Sequence, residues 1–444
     1  MAPPESPLDS ARRKAYWRLL PLLFLSYVIA YVDRQNVAVA KLTMAKDMPE
    51  FTDAVIGFGA GIFFLGYFLL EIPGSLIVEK WGARKWICRI MITWGIMAGL
   101  TALVKTPTQF YTVRFFLGLA EAGFFPGVMV YLTHWFPSRD RAKAIASFLV
   151  ATPFAQIVSP KISNELLKIG TSPDHPAVLD MVGWQWVYVF WAVPAVVLGG
   201  IVLFKLTDRP RNAKWLSAEE REALENELER ERSITRSKGG KMTALSALKH
   251  PKVLLLALAY FCTVTASYGI EFFMPSILKT WYNINLNQVT WLILLPPAMA
   301  FCGQMFMGWS SDHFKERRLH AMGPLIMGSV ALAILPSTQG NLWMTMISLM
   351  IAFTGFKAYM PAFWSLPSMF LTEGAAASSV GMINSIGNLG GFLGPTIMGY
   401  VSSTKGSFSG GLYYLSGSML VTAFIIAFLG IGRTATPDDD QARA

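Results

Sequence analysis

Four ionisable residues interrupt segments that are otherwise apolar: Asp33 and Arg34 in YVIAYVDRQNVAVA, and Arg114 and Glu121 in RFFLGLAEAGFFPG. Full charges in such segments are costly, so they persist where they have a partner or a task. Asp33 lies well inside its segment, about 24 Å along a helix from the start of the apolar run. A carboxylate at that depth can exchange a proton, and an arginine can hold an anion. The expected chemistry couples the two: an incoming carboxylate competes for Arg34, and the loosened Asp33 gains a proton. The alternative is that both neutralise neighbours and lock packing. Adjacent helical positions diverge by about 100°, so the two cannot pair with each other across one face.

Arg114 and Glu121 are two helical turns apart, which places them on one face at about 10.5 Å along the axis. They can line one cleft and are too distant for a direct pair. Burial favours a neutral carboxyl and a nearby cation a charged one. Glu121 has no basic residue within a turn on its own helix, so it is read as protonatable. Arg114 has a plainer reading as a helix-end arginine reaching toward headgroups. Lys357, in GFKAYMPAFWSLP, has two readings. It is a second cation facing Arg34 across a cleft, suited to a two-headed anion, or a structural bridge to Glu271 in YGIEFFMPS. Asn384 and Asn388 share a helix face by their i,i+4 spacing, and Tyr31, Tyr67, Gln156 and Trp364 offer further contacts. Glu71 and Lys161 lie closer to segment ends and carry less information.

The elements that must position these residues are membrane helices. The chain has 444 residues, of which 53% are hydrophobic and 15% charged, against about 25% charged in a soluble domain. About twelve apolar runs are long enough to cross the ~30 Å hydrocarbon core as helices. They are 17–40, 54–78, 86–104, 109–131, 143–167 and 184–206, then 252–280, 287–311, 322–336, 342–364, 376–401 and 410–431. Barrel strands would alternate instead of running continuously apolar. The net charge of +10 gathers in alternate loops, around Arg12–Arg18, Lys80–Arg89 and Arg139–Lys143, in the middle gap and at Lys315–Arg318. That asymmetry predicts cytoplasmic termini and a cytoplasmic middle loop, and it explains the basicity without nucleic acid. Cys88, Cys262 and Cys302 are widely separated and form no metal box or disulfide framework. The basic start feeds a full-length segment, which is expected to remain as an anchor.

One polar gap, 207–249, divides the chain. Within it WLSAEEREALENELERER reads as a solvated helical linker, capped by Ser217 with Glu220 three residues on. Glu227–Arg230 and Glu229–Arg232 add charge pairs along it. Six segments stand on each side, and the halves repeat. EKWGARK from Glu79 aligns with DHFKERR from Asp312, and Pro126 aligns with Pro361 at nearly the same offset. Duplicated bundles with a midplane site are a recurring architecture of secondary transporters.

GWSSDHFKERR (Gly308–Arg318) and, less closely, SLIVEKWGARK (Ser75–Lys85) resemble the loop signature of the major facilitator superfamily. YVDRQNVAVA, GIFFLGYFLLEIPGSL, GARKWICRIMITWG, RFFLGLAEAGFFPGVMVYLTHWFP and INSIGNLGGFLGP together resemble its anion:cation symporter family, with the tartrate-type and aromatic-acid branches nearest. The resemblance implies that Arg34 and Arg114 contact an anion, that Asp33 and Glu121 couple protons, and that Glu79, Arg84, Asp312 and Arg317 form gating contacts. Some relatives carry an arginine early in the seventh segment, where this chain has Thr263.

The expected fold is all-α, a major facilitator fold of twelve transmembrane helices in two pseudo-symmetric six-helix bundles. Its parts are a tail 1–16, a bundle 17–206, a linker 207–251, a bundle 252–432 and a tail 433–444. The expected function is proton-coupled uptake of a small organic anion by alternating access: a hydroxy-dicarboxylate, sugar acid or aromatic carboxylate. Arg34, Arg114, Lys357, Tyr31, Tyr67, Gln156, Trp364, Asn384 and Asn388 would bind it. The carrier would be a monomer in the bacterial inner membrane, with no metal or other cofactor. Proton antiport or export is the first rival, and a membrane enzyme or sensor the second. The sequence shows no nucleophile–base set for an enzyme and no Walker loop for nucleotide-driven pumping.

Overall fold

The computed structural model describes residues 6–238, 250–371 and 373–431. The first half holds α1 (Pro7–Asp47), α2 (Asp53–Trp81), α3 (Ala83–Leu100), α4 (Pro107–Glu121), α5 (Phe124–Thr133), α6 (Ser138–Leu149), α7 (Ala151–Leu166) and α8 (Gly183–Lys205). The linker forms α9 (Ala218–Lys238). The second half holds α10 (Pro251–Tyr282), α11 (Leu286–Phe314), α12 (Arg318–Ile334), α13 (Leu342–Ala358), α14 (Met360–Ser365), α15 (Glu373–Asn388), α16 (Gly390–Lys405) and α17 (Ser409–Phe428). Among the described residues there is no strand, only two isolated bridges in the loop before α8.

Local chemistry starts these helices. Ser6 accepts from the Asp9 amide at 3.1 Å, with Pro7 first in α1; Thr106 caps α4 ahead of Pro107. Asn285 and Gln288 exchange hydrogen bonds as a capping box on α11.

Among the described residues, eleven stretches are long and apolar enough to cross a bilayer, with α4–α5, α6–α7 and α13–α14 each running on as one. The predicted run 376–401 is divided at Leu389 into α15 and α16, each too short to span alone. The breaks explain the repeat seen in the sequence. Pro126 is the third residue of α5 and Pro361 the second of α14, so both prolines restart an interrupted helix. There their missing N–H costs nothing. Glu121 ends α4, and Lys357 is the penultimate residue of α13. Each half thus carries a charge where its fourth segment breaks.

Contacts divide the chain into two units: Met1–Met48 with Ile62–Gly239, and Pro49–Gly61 with Gly240–Ala444. Each repeats one packing scheme. In the first, α1 packs on α7 and α8, and α3 on α8; in the second, α10 packs on α16 and α17, and α12 on α17. Large apolar side chains such as Trp17, Phe204 and Phe428 remain exposed on these helices, as lipid-facing surfaces require.

The linker helix is not a solvated spacer. Leu224 and Leu228 are buried, and α9 packs against α1. The predicted cap is present: Ser217 Oγ accepts from the Glu220 amide and the Ser217 amide donates to Glu220 Oε2. Glu220 also accepts from Lys14 Nζ at 2.6 Å and Ser10 Oγ at 2.7 Å. Glu231 accepts from the Ser138 amide at 2.9 Å, capping α6. Trp215 stacks on Trp135 at 5.3 Å. Arg230 pairs with Glu227 as the spacing predicts; the Arg232 side chain lies outside the described residues.

The Lys14 ammonium holds the Glu220 carboxyl down to about 2, helped by Ser10 and the Ser217 amide and opposed by burial. Replacing Glu220 by Gln should lower stability at neutral pH by about 0.5–1 kcal/mol, since Lys14 is half exposed. A carboxyl lowered on folding stabilises above its unfolded value, about 4.3, and loses that contribution as pH falls toward 2. Thermal unfolding of both proteins between neutral and acid pH should therefore show the difference shrinking on acidification.

Candidate functional site

Asp33 and Arg34 point to different neighbours, as their 100° divergence requires. Asp33 is buried, with Oδ2 accepting from Trp94 Nε1 of α3 and Oδ1 from Asn36 Nδ2 at 3.0 Å. Arg34 turns to α4, where its Nε and Nη2 both reach Glu121 Oε1 at 2.6 Å. The expectation that an anion competes with Asp33 for Arg34 is therefore corrected. The carboxylate that holds Arg34 is Glu121, because α4 is brought beside the α1 face that carries Arg34. Glu121 Oε2 is buried and meets no hydrogen-bond donor among the described residues.

Aromatic rings of α2 floor this pair. The Arg34 guanidinium lies 4.9 Å from the Tyr67 ring and 5.7 Å from the Phe63 ring. The Arg114 guanidinium lies 5.1 Å from the same Phe63 ring. Arg114 is 0% exposed, so the reading in which it reaches toward headgroups is set aside. Its helix is locked to α2 at backbone range, since a side chain on Gly118 would collide with the Phe63 carbonyl. Two guanidiniums, one aromatic ring and one carboxylate thus meet from α1, α2 and α4. On α1, one turn before Arg34, the Tyr31 hydroxyl accepts from Gln156 Nε2 of α7 at 3.1 Å.

In the second unit, Lys357 Nζ lies 3.0 Å from Glu271 Oε1, which also accepts from Ser267 Oγ at 2.9 Å. Of its two readings, the bridge is the arrangement observed. Trp364 sits edge-on to Tyr260 at 4.9 Å, and Asn384 and Asn388 are part-buried one turn apart on α15. In the loop signature, Arg317 pairs with Asp312 at 2.6 Å and donates to Ser311 Oγ at 2.8 Å. Its first-half counterpart differs. The Arg84 amide donates to Asp208 Oδ1 at 2.8 Å and its Nε lies 3.8 Å from Oδ2; Asp208, beyond α8, caps α3. The Glu79 side chain lies outside the described residues.

The model of the Major Facilitator Superfamily matches residues 23–395. The chain belongs to that superfamily. A protein of Agrobacterium vitis named for tartrate transport is 42% identical to this facilitator over 95% of each chain. The "Quinolone resistance transporter" of Acinetobacter baumannii is 36% identical over 92% of each. Among solved structures, the inward-open xylose transporter XylE from E. coli superposes with a TM-score of 0.73 at 12% identity, covering 96% of this chain and 99% of its own. That likeness concerns the fold.

Sequence reading missed two partners in the facilitator's site. Trp94 looked like any buried aromatic, and nothing in the sequence distinguishes a tryptophan whose N–H is needed. Phe63 stands four residues before Tyr67, on the same helical face, and that spacing was a usable signal. Removing Arg34 strands a buried carboxylate, so Arg34→Ala should cost about 3 kcal/mol in thermal unfolding, most of it recovered when Glu121→Gln is added. The folded single variant should lose anion binding; unchanged affinity would remove Arg34 from the site.

Proposed function

We propose that this facilitator takes up a small organic anion together with protons by alternating access. The carrying observation is the Arg34–Glu121 pair, a part-buried arginine on a buried glutamate, beside Arg114 and Phe63. An arginine held by one carboxylate suits exchange for another: the substrate carboxylate takes the Arg34 donors, and Glu121, deprived of its cation, accepts a proton. Its Oε2, buried without a donor among the described residues, is a ready acceptor. Release reverses the exchange, so anion and proton travel together. Asp33, held by Trp94 and Asn36, serves as a second acid beside Arg34. Arg114 contributes positive potential to the anion, with Tyr31, Tyr67 and Gln156 as polar company. Within the second unit, Lys357 on Glu271 is open to the same kind of exchange with a carboxylate.

The relative named for tartrate transport supports a hydroxy-dicarboxylate as cargo. The basic loops support cytoplasmic termini, and the bacterial relatives support an inner-membrane location. In this reading the carrier works as a monomer, needs no cofactor and draws on the proton gradient.

A second reading, export by proton antiport, is favoured by the relative named for quinolone resistance. Proteoliposomes loaded with tartrate and given a pH gradient separate the two. Symport moves tartrate away from the acidified side, and antiport drives it toward that side. We expect movement away from the acid, lost in Glu121→Gln; movement toward it would establish export.

A further inference from the structure

Glu71 is a buried acid, 4% exposed, which the exchange just described leaves unused. Its position follows from backbone contacts between α2 and α4. A Cβ on Gly66 would strike the Phe115 carbonyl, one on Gly118 would strike the Phe63 carbonyl, and one on Gly74 would lie 2.9 Å from Gly123 Cα. Gly66 seats between Phe115 and Leu119 and Gly118 between Phe63 and Tyr67, while the Gly74–Gly123 contact lies farther on in both segments. The helices therefore run parallel, and interpolation sets Glu71 about level with Glu121. Helical side chains lean toward the N-terminus of their helix. Glu71 therefore leans toward the turn of Tyr67, its i−4 neighbour, on whose ring Arg34 lies at 4.9 Å. Segment-end position in the sequence hid this, because the depth of Glu71 is set by the α4 it faces.

Tyr67 stands among Glu71, Arg34 and Glu121, and the charged and titratable groups of this region come from four helices. Arg34 and Asp33 come from α1, Glu121 and Arg114 from α4, and Tyr67 from α2 itself. Arg89 of α3 lies 3.9 Å from the ring of Trp86, which borders Gly74. Asp33 is occupied by Trp94 and Asn36, and Arg89 reaches the Ala120 carbonyl at 3.5 Å.

We propose that Glu71 and Glu121 form an acid pair around Arg34 that holds one shared proton whenever a substrate carboxylate occupies the arginine. This rests on the symport reading above. With Arg34 on Glu121, the site tolerates both carboxylates ionised. When the anion arrives, the Arg34 N–H bonds to Glu121 break and re-form on the substrate. Two carboxylates at one level without their cation repel, and one takes a proton from hydronium, forming an O–H bond and releasing water. When the anion leaves, Arg34 returns, the O–H bond breaks and the proton passes to water. Glu71 thus makes proton uptake obligatory when the anion binds.

The test compares wild type with Glu71→Gln and Glu71→Asp in liposomes, using radiolabelled tartrate. Two rates are read: accumulation driven by an imposed pH gradient, and tartrate–tartrate counterflow without one. Glu71→Gln should cut accumulation about tenfold or more while slowing counterflow less than about threefold, because only the proton-linked step needs the acid paired with Glu121. Glu71→Asp should recover part of the accumulation. Equal loss of both rates would assign Glu71 to structure and overturn the proposal, as would accumulation in Glu71→Gln with the wild-type pH profile. A wild type without gradient-driven accumulation of tartrate would instead overturn the symport reading, and this proposal with it.

Discussion

The site depends on one ion pair inside a membrane bundle, between a part-buried arginine and a buried glutamate. Taking either ion out of water costs several kcal/mol, and the attraction offsets that cost only at short range and in good geometry. Arg34 and Glu121 meet at 2.6 Å, and the architecture around them serves that distance. Glycines at 66, 74 and 118 bring α2 against α4 at backbone range. The left-handed Gly123, at φ +85°, ends α4 just past Glu121. Phe63 and Tyr67 give the guanidiniums aromatic faces in place of water. An interaction this dependent on its partner is also exchangeable, since another carboxylate of similar reach can replace Glu121 without leaving Arg34 bare.

The second unit answers with a related device. Its fourth segment breaks next to a charge, Lys357, which is bound to Glu271 across to α10. The pseudo-repeat therefore keeps a charge at the same place in the broken segment and inverts its sign, from the buried Glu121 to the part-buried Lys357. Away from the membrane, α9 ties the linker to the first unit through Glu220 and Glu231. The corner between α2 and α3 is tied through Asp208 to the segment that follows α8. These contacts join the loops of one unit into a single frame at the end where the basic residues collect.

The membrane segments were legible because twenty apolar residues in a row admit few other structures, and the repeat because loop signatures and prolines share an offset. The charged residues were legible for the same reason: a charge in an apolar run is rare. Their partners were not. The 100° divergence of Asp33 and Arg34 could be read from their adjacency, but the carboxylate that holds Arg34 could not, since the choice of Glu121 depends on where α4 packs. Trp94, Phe63 and Asp208 carry ordinary side chains for their segments, and only tertiary contact gives them a role. The linker helix read as solvated because its charges are dense, while the two leucines that dock it, Leu224 and Leu228, occupy a narrow stripe.

The central claim is that binding an anion at Arg34 transfers a proton to the acids it releases. Calorimetric titration of the purified carrier with tartrate, repeated in buffers of different ionisation enthalpy, counts the protons taken up per anion bound. The account predicts uptake of about one proton per tartrate near neutral pH. Tartrate binding with no proton uptake anywhere between about pH 5 and 8 would contradict it.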